Sequence, residues 1–82
     1  MNLQGAVAIV TGAATGVGRA SARALAARKC NVLIGYWRSQ TQADAVVAEC
    51  EELGVQSLAC RGDVASDEDC VRMVRTAVKR WG

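Results

Sequence analysis

The chain has 82 residues, of which 51% are hydrophobic and 22% are charged, and its formal net charge at pH 7 is +2. This balance is typical of one small globular domain and excludes a disordered chain. Histidine is absent, so the usual imidazole base and the commonest nitrogen ligand of metals are missing. We therefore expect neither metal-dependent hydrolysis nor Ser-His chemistry.

The charge and hydropathy patterns also bear on partners. The ten basic residues are interleaved with eight acidic ones and form no aromatic-studded patch, so we expect no nucleic-acid partner. No stretch approaches the ~20 apolar residues of a membrane span, so we expect no membrane partner either.

Four cysteines, Cys30, Cys50, Cys60 and Cys70, form no C-x-x-C pair. They fall on different predicted elements, which argues against a zinc site. The N-terminus lacks the basic region of a secretion signal, which argues against disulfides, although a disulfide framework is the alternative. We interpret the thiols as small buried hydrophobes and expect a reducing, cytoplasmic location.

The predicted elements alternate along the chain. Three short apolar runs cover residues 6–10, 31–36 and 55–60. Three segments with helical spacing follow them, at residues 18–29, at 41–53 and after Ser66. The first run is continuously apolar, as in a parallel strand covered on both faces. The pattern predicts an α/β fold, the Rossmann-like βαβαβα half, with three parallel strands in the order 3-2-1 and helices on both faces.

Each of the predicted helices has a recognisable apolar face, and that of the second helix is formed by Ala43, Val46, Val47, Cys50 and Leu53. In the first predicted helix, Ala20, Ala24, Leu25 and Ala27 form an apolar face of mostly small side chains. In the last, Ser66 stands at the N-cap with acidic residues at 67–69, a capping-box arrangement. The apolar stripe predicted for this last helix consists of Cys70, Val71, Val74, Ala77, Val78 and Trp81.

A glycine-rich turn, Thr11-Gly12-Ala13-Ala14-Thr15-Gly16-Val17-Gly18, follows the first strand, and a helix is expected to open on its last glycine. Glycine at these positions allows a sharp turn, close approach of a pyrophosphate and packing of helix on sheet, while the helix N-terminus attracts the anion. Candidate cofactor-binding residues here are Thr11, Gly12, Ala14, Thr15, Gly16, Val17 and Gly18. The alternatives are a turn that binds nothing and a Thr11 hydroxyl that only holds the turn in shape.

The spacing G-x-x-x-G-x-G with its leading Thr resembles the classical short-chain dehydrogenase/reductase family, and the resemblance covers the whole chain. Leu3-x-Gly5 resembles the family's opening, and residues 36–39 and 43–53 favour the 3-oxoacyl-carrier-protein-reductase-like branch. Gly62-Asp63-Val64 is similar to the family's short acidic motif, whose carboxylate accepts from the adenine amino group. Asp63 also has an ordinary interpretation, as an Asp that ends a strand and feeds a turn. The family further implies a homo-oligomer.

The end of the second strand bears on the choice of nicotinamide cofactor. NAD-preferring enzymes usually carry an acid there, but this chain has Tyr36-Trp37-Arg38. Arg38 is able to pair with a 2′-phosphate, so we expect NADP rather than NAD. The alternatives are that Arg38 is a solvated loop residue and that Arg19 reaches the same phosphate or only lies on a helix surface.

The family's catalytic residues, a Ser and a Tyr-x-x-x-Lys pair, are not found. The only tyrosine, Tyr36, is followed four residues later by Gln40. We therefore expect residues 1–82 to be the N-terminal dinucleotide-binding portion of an incomplete Rossmann domain, one that is not catalytic alone. Two alternatives are a non-catalytic nucleotide-binding module and a subunit-docking module.

Overall fold

Three strands alternate with three helices, as the sequence predicts. A computed structural model of the protein describes residues 5–12 and 16–82. The elements are β1 (Val7–Thr11), α1 (Gly16–Ala27), β2 (Asn31–Tyr36), α2 (Gln40–Glu52), β3 (Ser57–Arg61) and α3 (Asp67–Trp81). The bounds of β2 are those predicted, and α3 begins directly after Ser66 and ends at Trp81, as predicted. The other four elements begin or end a residue or two away from their predicted limits.

The strands form one parallel sheet in the order β1-β2-β3, which replaces the order 3-2-1 given above. Each crossover returns the chain to a position beside the strand that it left, so β2 lies at the centre of the sheet. The expected order counted the strands from the opposite edge. In the register, Gly35 lies opposite both Thr11 and Cys60, and Tyr36 lies opposite Arg61. The carboxyl ends of the three strands therefore meet at one edge of the sheet.

Helices cover the two faces of the sheet unequally. Alternate side chains of a strand point to opposite faces, so Val32 and Ile34 pack under α1 and α2, while Leu33 packs under α3. All three side chains are fully buried, which accounts for the continuous apolar run of β2. None of the helices that the structure describes is long and apolar enough to span a membrane.

Helix α1 begins at Gly16, two residues before the predicted start, and buries a different face. Ala22 and Ala26 are fully buried against the sheet, whereas Ala20 and Ala24 are exposed. Both alanine pairs have the four-residue spacing of one helical face. Spacing alone therefore could not decide which pair faces the sheet.

Helix α3 also differs from its predicted stripe. Met73 and Ala77 are its buried residues, while Val71, Val74 and Val78 are 48%, 51% and 57% exposed. The long, flexible Met73 side chain reaches the sheet where two strand-end glycines leave space for it. Of these valines, Val74 and Val78 lie beside the outer edge of β1.

That outer edge is open in the part of the chain that the structure describes, where β1 pairs with β2 alone. Val7 and Ile9 on β1 line an apolar groove together with Val74, Val78 and Trp81 of α3. The Trp81 Nε1–H donates to Gln56 Oε1 at 2.9 Å and holds the end of the helix near the start of β3.

The four cysteines are free thiols. Cys30, Cys50 and Cys60 are buried, as interpreted from the sequence, and Cys70 is partly exposed. Burial raises the pKa of the Cys30 and Cys50 thiols, which keeps them in the unreactive thiol form.

Candidate functional site

A cleft of about 290 Å³ opens at the carboxyl ends of the three strands. Five residues predicted for the site line it: Gly12, Tyr36, Arg38, Asp63 and Val64. They come from the end of β2 and from the loops that follow β1, β2 and β3. The parallel register brings these loops together, because it aligns the ends of β1, β2 and β3.

The floor of the cleft is built from Gly35 and Gly62 over the buried Met73 side chain. A Cβ added at Gly35 would lie 3.2 Å from both Met73 Sδ and Thr11 Cγ2, and one added at Gly62 would overlap Met73 Cε. Neither Gly35 nor Met73 was predicted from the sequence to shape the site. The available signal was a glycine inside an otherwise apolar strand, which often marks close approach of other groups.

The first wall is the junction of β1 and α1. Gly12 has φ +66°, in the left-handed region that favours glycine, and a Cβ added at Gly12 or Gly16 would meet no atom within 4 Å. Val17 is 81% exposed in the first turn of α1, and Gly18 is half-buried in the same turn. That turn carries no acidic residue. The predicted residues Ala14 and Thr15 lie outside the described residues.

Asp63 serves the turn between β3 and α3, as its ordinary interpretation predicts. Its Oδ1 accepts from the Ala65 N–H at 2.9 Å, and its carbonyl accepts from the Ser66 N–H at 2.9 Å. Among the described residues, no hydrogen bond is found for the other carboxylate oxygen, Oδ2. Val64 beside it is 60% exposed. One oxygen of Asp63 is thus used by the loop, and the other is available to a donor in the cleft.

Asp69 is predicted from the sequence to cap α3, but in the structure it supports the loop that holds Asp63 at the cleft. The Asp69 N–H donates to Ser66 Oγ at 3.3 Å, as expected of an N-cap. The Asp69 carboxylate, however, accepts from the Asp63 N–H at 2.8 Å rather than from Ser66. This backbone hydrogen bond, followed by the charge of Arg72, holds the pKa of Asp69 below its ordinary value of 3.8. Asp69 is a positioning residue for the Asp63 loop.

We expect Asp69→Asn to reduce the acid sensitivity of the fold. A carboxyl group with a depressed pKa stabilises the folded state above its unfolded pKa, and this contribution is lost as the pH falls through the folded pKa. The urea midpoint of the natural protein should therefore fall as the pH drops below about 4, and that of Asp69→Asn should fall less. Asp44→Asn, at an exposed position on α2, is the matched control. Identical acid profiles for the protein and Asp69→Asn would contradict the assignment.

Arg19 is not among the residues that line the cleft. Its Nε donates to Glu49 Oε1 at 3.0 Å and a second guanidinium nitrogen pairs with Glu49 Oε2, which joins α1 to α2. The hydrogen bond from Arg19 lowers the pKa of Glu49. Of the two interpretations of Arg19, the structure places it on the helix surface. Arg38 is exposed at the cleft.

A glycine-rich turn after the first strand and a cleft across the ends of a parallel sheet define a Rossmann-like α/β protein. The chain belongs to the short chain dehydrogenase family, whose sequence model matches residues 6–82. The resemblance predicted from the glycine turn is thereby confirmed.

Individual relatives support this membership. The chain is 41% identical over 81 residues to tetrahydroxynaphthalene reductase of Pyricularia oryzae, covering 99% of this chain and 29% of that protein. It is 40% identical over 75 residues to 3-oxoacyl-[acyl-carrier-protein] reductase of Synechocystis, covering 92% of this chain and 30% of that protein. A solved structure of a short chain dehydrogenase from Burkholderia cenocepacia, in complex with NADP, matches with a TM-score of 0.93 and 38% identity. This match covers 100% of the chain and 34% of that structure. The chain thus spans about a third of the length of these relatives.

Proposed function

We propose that this chain binds NADP in the cleft at the ends of β1, β2 and β3, and that residues 1–82 are the N-terminal dinucleotide-binding portion of a short-chain oxidoreductase. In the complete enzyme, the bound cofactor would supply hydride transfer between NADPH and a carbonyl or alcohol substrate. The observation that carries the proposal is the convergence of five predicted residues, from the end of β2 and three loops, on one cleft.

The junction of β1 and α1 fits the diphosphate of the cofactor. Space is open around Gly12 and Gly16, so a phosphate group is able to approach the backbone closely. The first turn of α1 brings the positive end of the helix dipole and no acidic side chain. We assign the diphosphate to the segment from Thr11 to Gly18, which includes Ala14, Thr15 and Val17.

The opposite wall fits the adenosine. The Asp63 Oδ2 is available to accept from the adenine amino group, and the exposed Val64 side chain offers an apolar contact beside it. Tyr36 closes the cleft at the end of β2, where its carbonyl accepts from the Gly62 N–H at 2.8 Å. That bond ties the loops after β2 and β3 into one wall.

The preference for NADP over NAD rests on the end of β2. The loop that begins at Trp37 places Arg38 at the cleft and carries no carboxylate that would repel a 2′-phosphate. The NADP complex of the Burkholderia relative agrees with this assignment.

We expect Arg38→Asp to remove the preference for NADPH. A hydrogen bond to a charged group contributes roughly 1.5–3 kcal/mol, so NADPH affinity should fall by about tenfold or more, while NADH affinity stays similar. Fluorescence titration of each reduced cofactor measures both values. Arg28→Asp, an exposed substitution after α1, is the control.

Two outcomes would count against the proposal at different levels. A preference for NADPH that survives Arg38→Asp removes Arg38 from the cofactor assignment. Failure of the unaltered protein to bind either cofactor at millimolar concentration contradicts cofactor binding altogether and favours the subunit-docking alternative.

We further propose that residues 1–82 show no turnover alone, because the Ser and the Tyr-x-x-x-Lys pair are lacking. A cytoplasmic location is our proposal from the four free thiols, which suit a reducing compartment. Homo-oligomerisation stays a prediction from the family.

A further inference from the structure

A second indentation of similar size adjoins the cleft on the side of the α2 N-terminus. It has a volume of about 320 Å³ and is lined by Tyr36, Trp37, Arg38, Gln40 and Arg61. Arg61 is the last residue of β3 and lies opposite Tyr36 in the sheet register. The indentation therefore joins the ends of β2 and β3 to the start of α2.

Arg61 is held there by two contacts with one residue. Its guanidinium carbon lies 5.0 Å from the centroid of the Trp37 ring, and its Nε–H donates to the Trp37 carbonyl at 3.2 Å. In the described part of the chain, no hydrogen bond or ion pair is found for its two terminal nitrogens. A planar guanidinium fixed by stacking is preorganised to bind an oxyanion with its remaining N–H groups.

The residues that line the indentation include two arginines and no acidic residue. The ion pairs found among residues 5–12 and 16–82 join Arg19 and Arg23 to Glu49, and Arg72 to Asp69. Neither Arg38 nor Arg61 takes part in one. Two guanidinium groups on one small indentation repel each other, and a bound anion would relieve that repulsion.

The start of α2 adds to this preference for an anion. Ser39 is the N-cap residue, but its side chain makes no capping hydrogen bond. The first turn of α2 contains no acidic residue. The positive end of the helix dipole thus faces the same region without a carboxylate to satisfy it.

We propose that Arg61, positioned by Trp37, is a second specificity-determining residue for the 2′-phosphate of NADP, beside Arg38. The inference rests on the proposed function, since the phosphate must be presented by a cofactor bound in the neighbouring cleft. Arg61 contacts the phosphate, and Trp37 acts through Arg61.

The test is the ratio of NADPH to NADH affinity in Arg61→Gln, measured by fluorescence titration. We expect NADPH binding to weaken about tenfold, as for loss of one charge-assisted hydrogen bond, and NADH binding to change less than about twofold. Arg61→Lys should lose part of this ratio, because lysine keeps the charge but not the planar, stacked geometry. Arg75→Gln, on the exposed surface of α3, is the matched control, and far-UV circular dichroism checks the fold of each variant.

The positioning role of Trp37 has its own readout. Trp37→Ala should lower the ratio of NADPH to NADH affinity. Trp37→Phe, which keeps an aromatic face, should retain most of that ratio. In the Arg61→Gln background, Trp37→Ala should have little further effect on the ratio. The NADPH affinity of the unaltered protein should also fall more steeply with salt than the affinity of Arg61→Gln.

The outcomes separate this inference from the proposed function. An unaltered protein that prefers NADPH, together with an Arg61→Gln variant that keeps the full preference, overturns the role of Arg61 and leaves cofactor binding standing. Equal losses of NADPH and NADH binding in Arg61→Gln show a structural role and also overturn it. An unaltered protein that binds neither cofactor overturns both proposals.

Discussion

Gly12→Val is expected to abolish cofactor binding while the fold is retained. Gly12 has φ +66°, a conformation that a β-branched residue adopts only with strain. The added side chain would also enter the open space assigned to the diphosphate. We expect affinity for both NADPH and NADH to fall by at least about 100-fold, since the loss affects a group that the two cofactors share. Titration of both cofactors, with circular dichroism as a check on folding, measures the effect.

Gly5→Val is the matched control for this substitution. Gly5 also has a positive φ, +83°, and open space around its missing Cβ, but it precedes the opposite end of β1. Its backbone strain should therefore be similar, while cofactor affinity should be unchanged. If the two variants lose affinity equally, strain in the fold explains the loss and the diphosphate assignment is wrong.

The second large effect concerns the floor of the cleft. We expect Gly62→Ala to destabilise the fold by about 1 kcal/mol, because the terminal Cε of the buried Met73 side chain must shift to make room for the new methyl group. Met73→Ala should cost about 2–5 kcal/mol through the cavity that it leaves. Urea unfolding measures the free energy of unfolding of each variant.

The double variant Gly62→Ala/Met73→Ala provides the control. Removing the Met73 side chain also removes the overlap, so the double variant should lose less stability than the sum of the two single losses. Residues in contact commonly show such coupling, with interaction energies of about 0.5–3 kcal/mol. Strict additivity would show that Met73 does not occupy the space under Gly62.

The strands were predictable because their signals are local. The apolar run between Lys29 and Trp37 predicts a strand, and the predicted bounds of β2 agree with the structure. Asp63 was also placed correctly at a turn, since an Asp after a strand commonly accepts a hydrogen bond from a backbone N–H two residues on.

The helix faces and the support of the site were less predictable, because they depend on tertiary contacts. The choice of Met73 over the neighbouring valines follows from space created by Gly35 and Gly62 on other elements. The stacking of Arg61 on Trp37 joins residues 24 positions apart. The Asp69 carboxylate turned toward Asp63 although its position suits helix capping. Sequence spacing carries no information about such pairings.

The open outer edge of β1 has a practical consequence for handling the protein. Apolar strands exposed at the edge of a sheet pair with strands of other molecules. The exposed Val74 and Val78 side chains beside β1 enlarge this apolar surface. Turbidity and light scattering should therefore increase with protein concentration and storage time. A lysine introduced at Val7, which is 38% exposed on this strand, should suppress that aggregation, because charged edge residues oppose intermolecular strand addition.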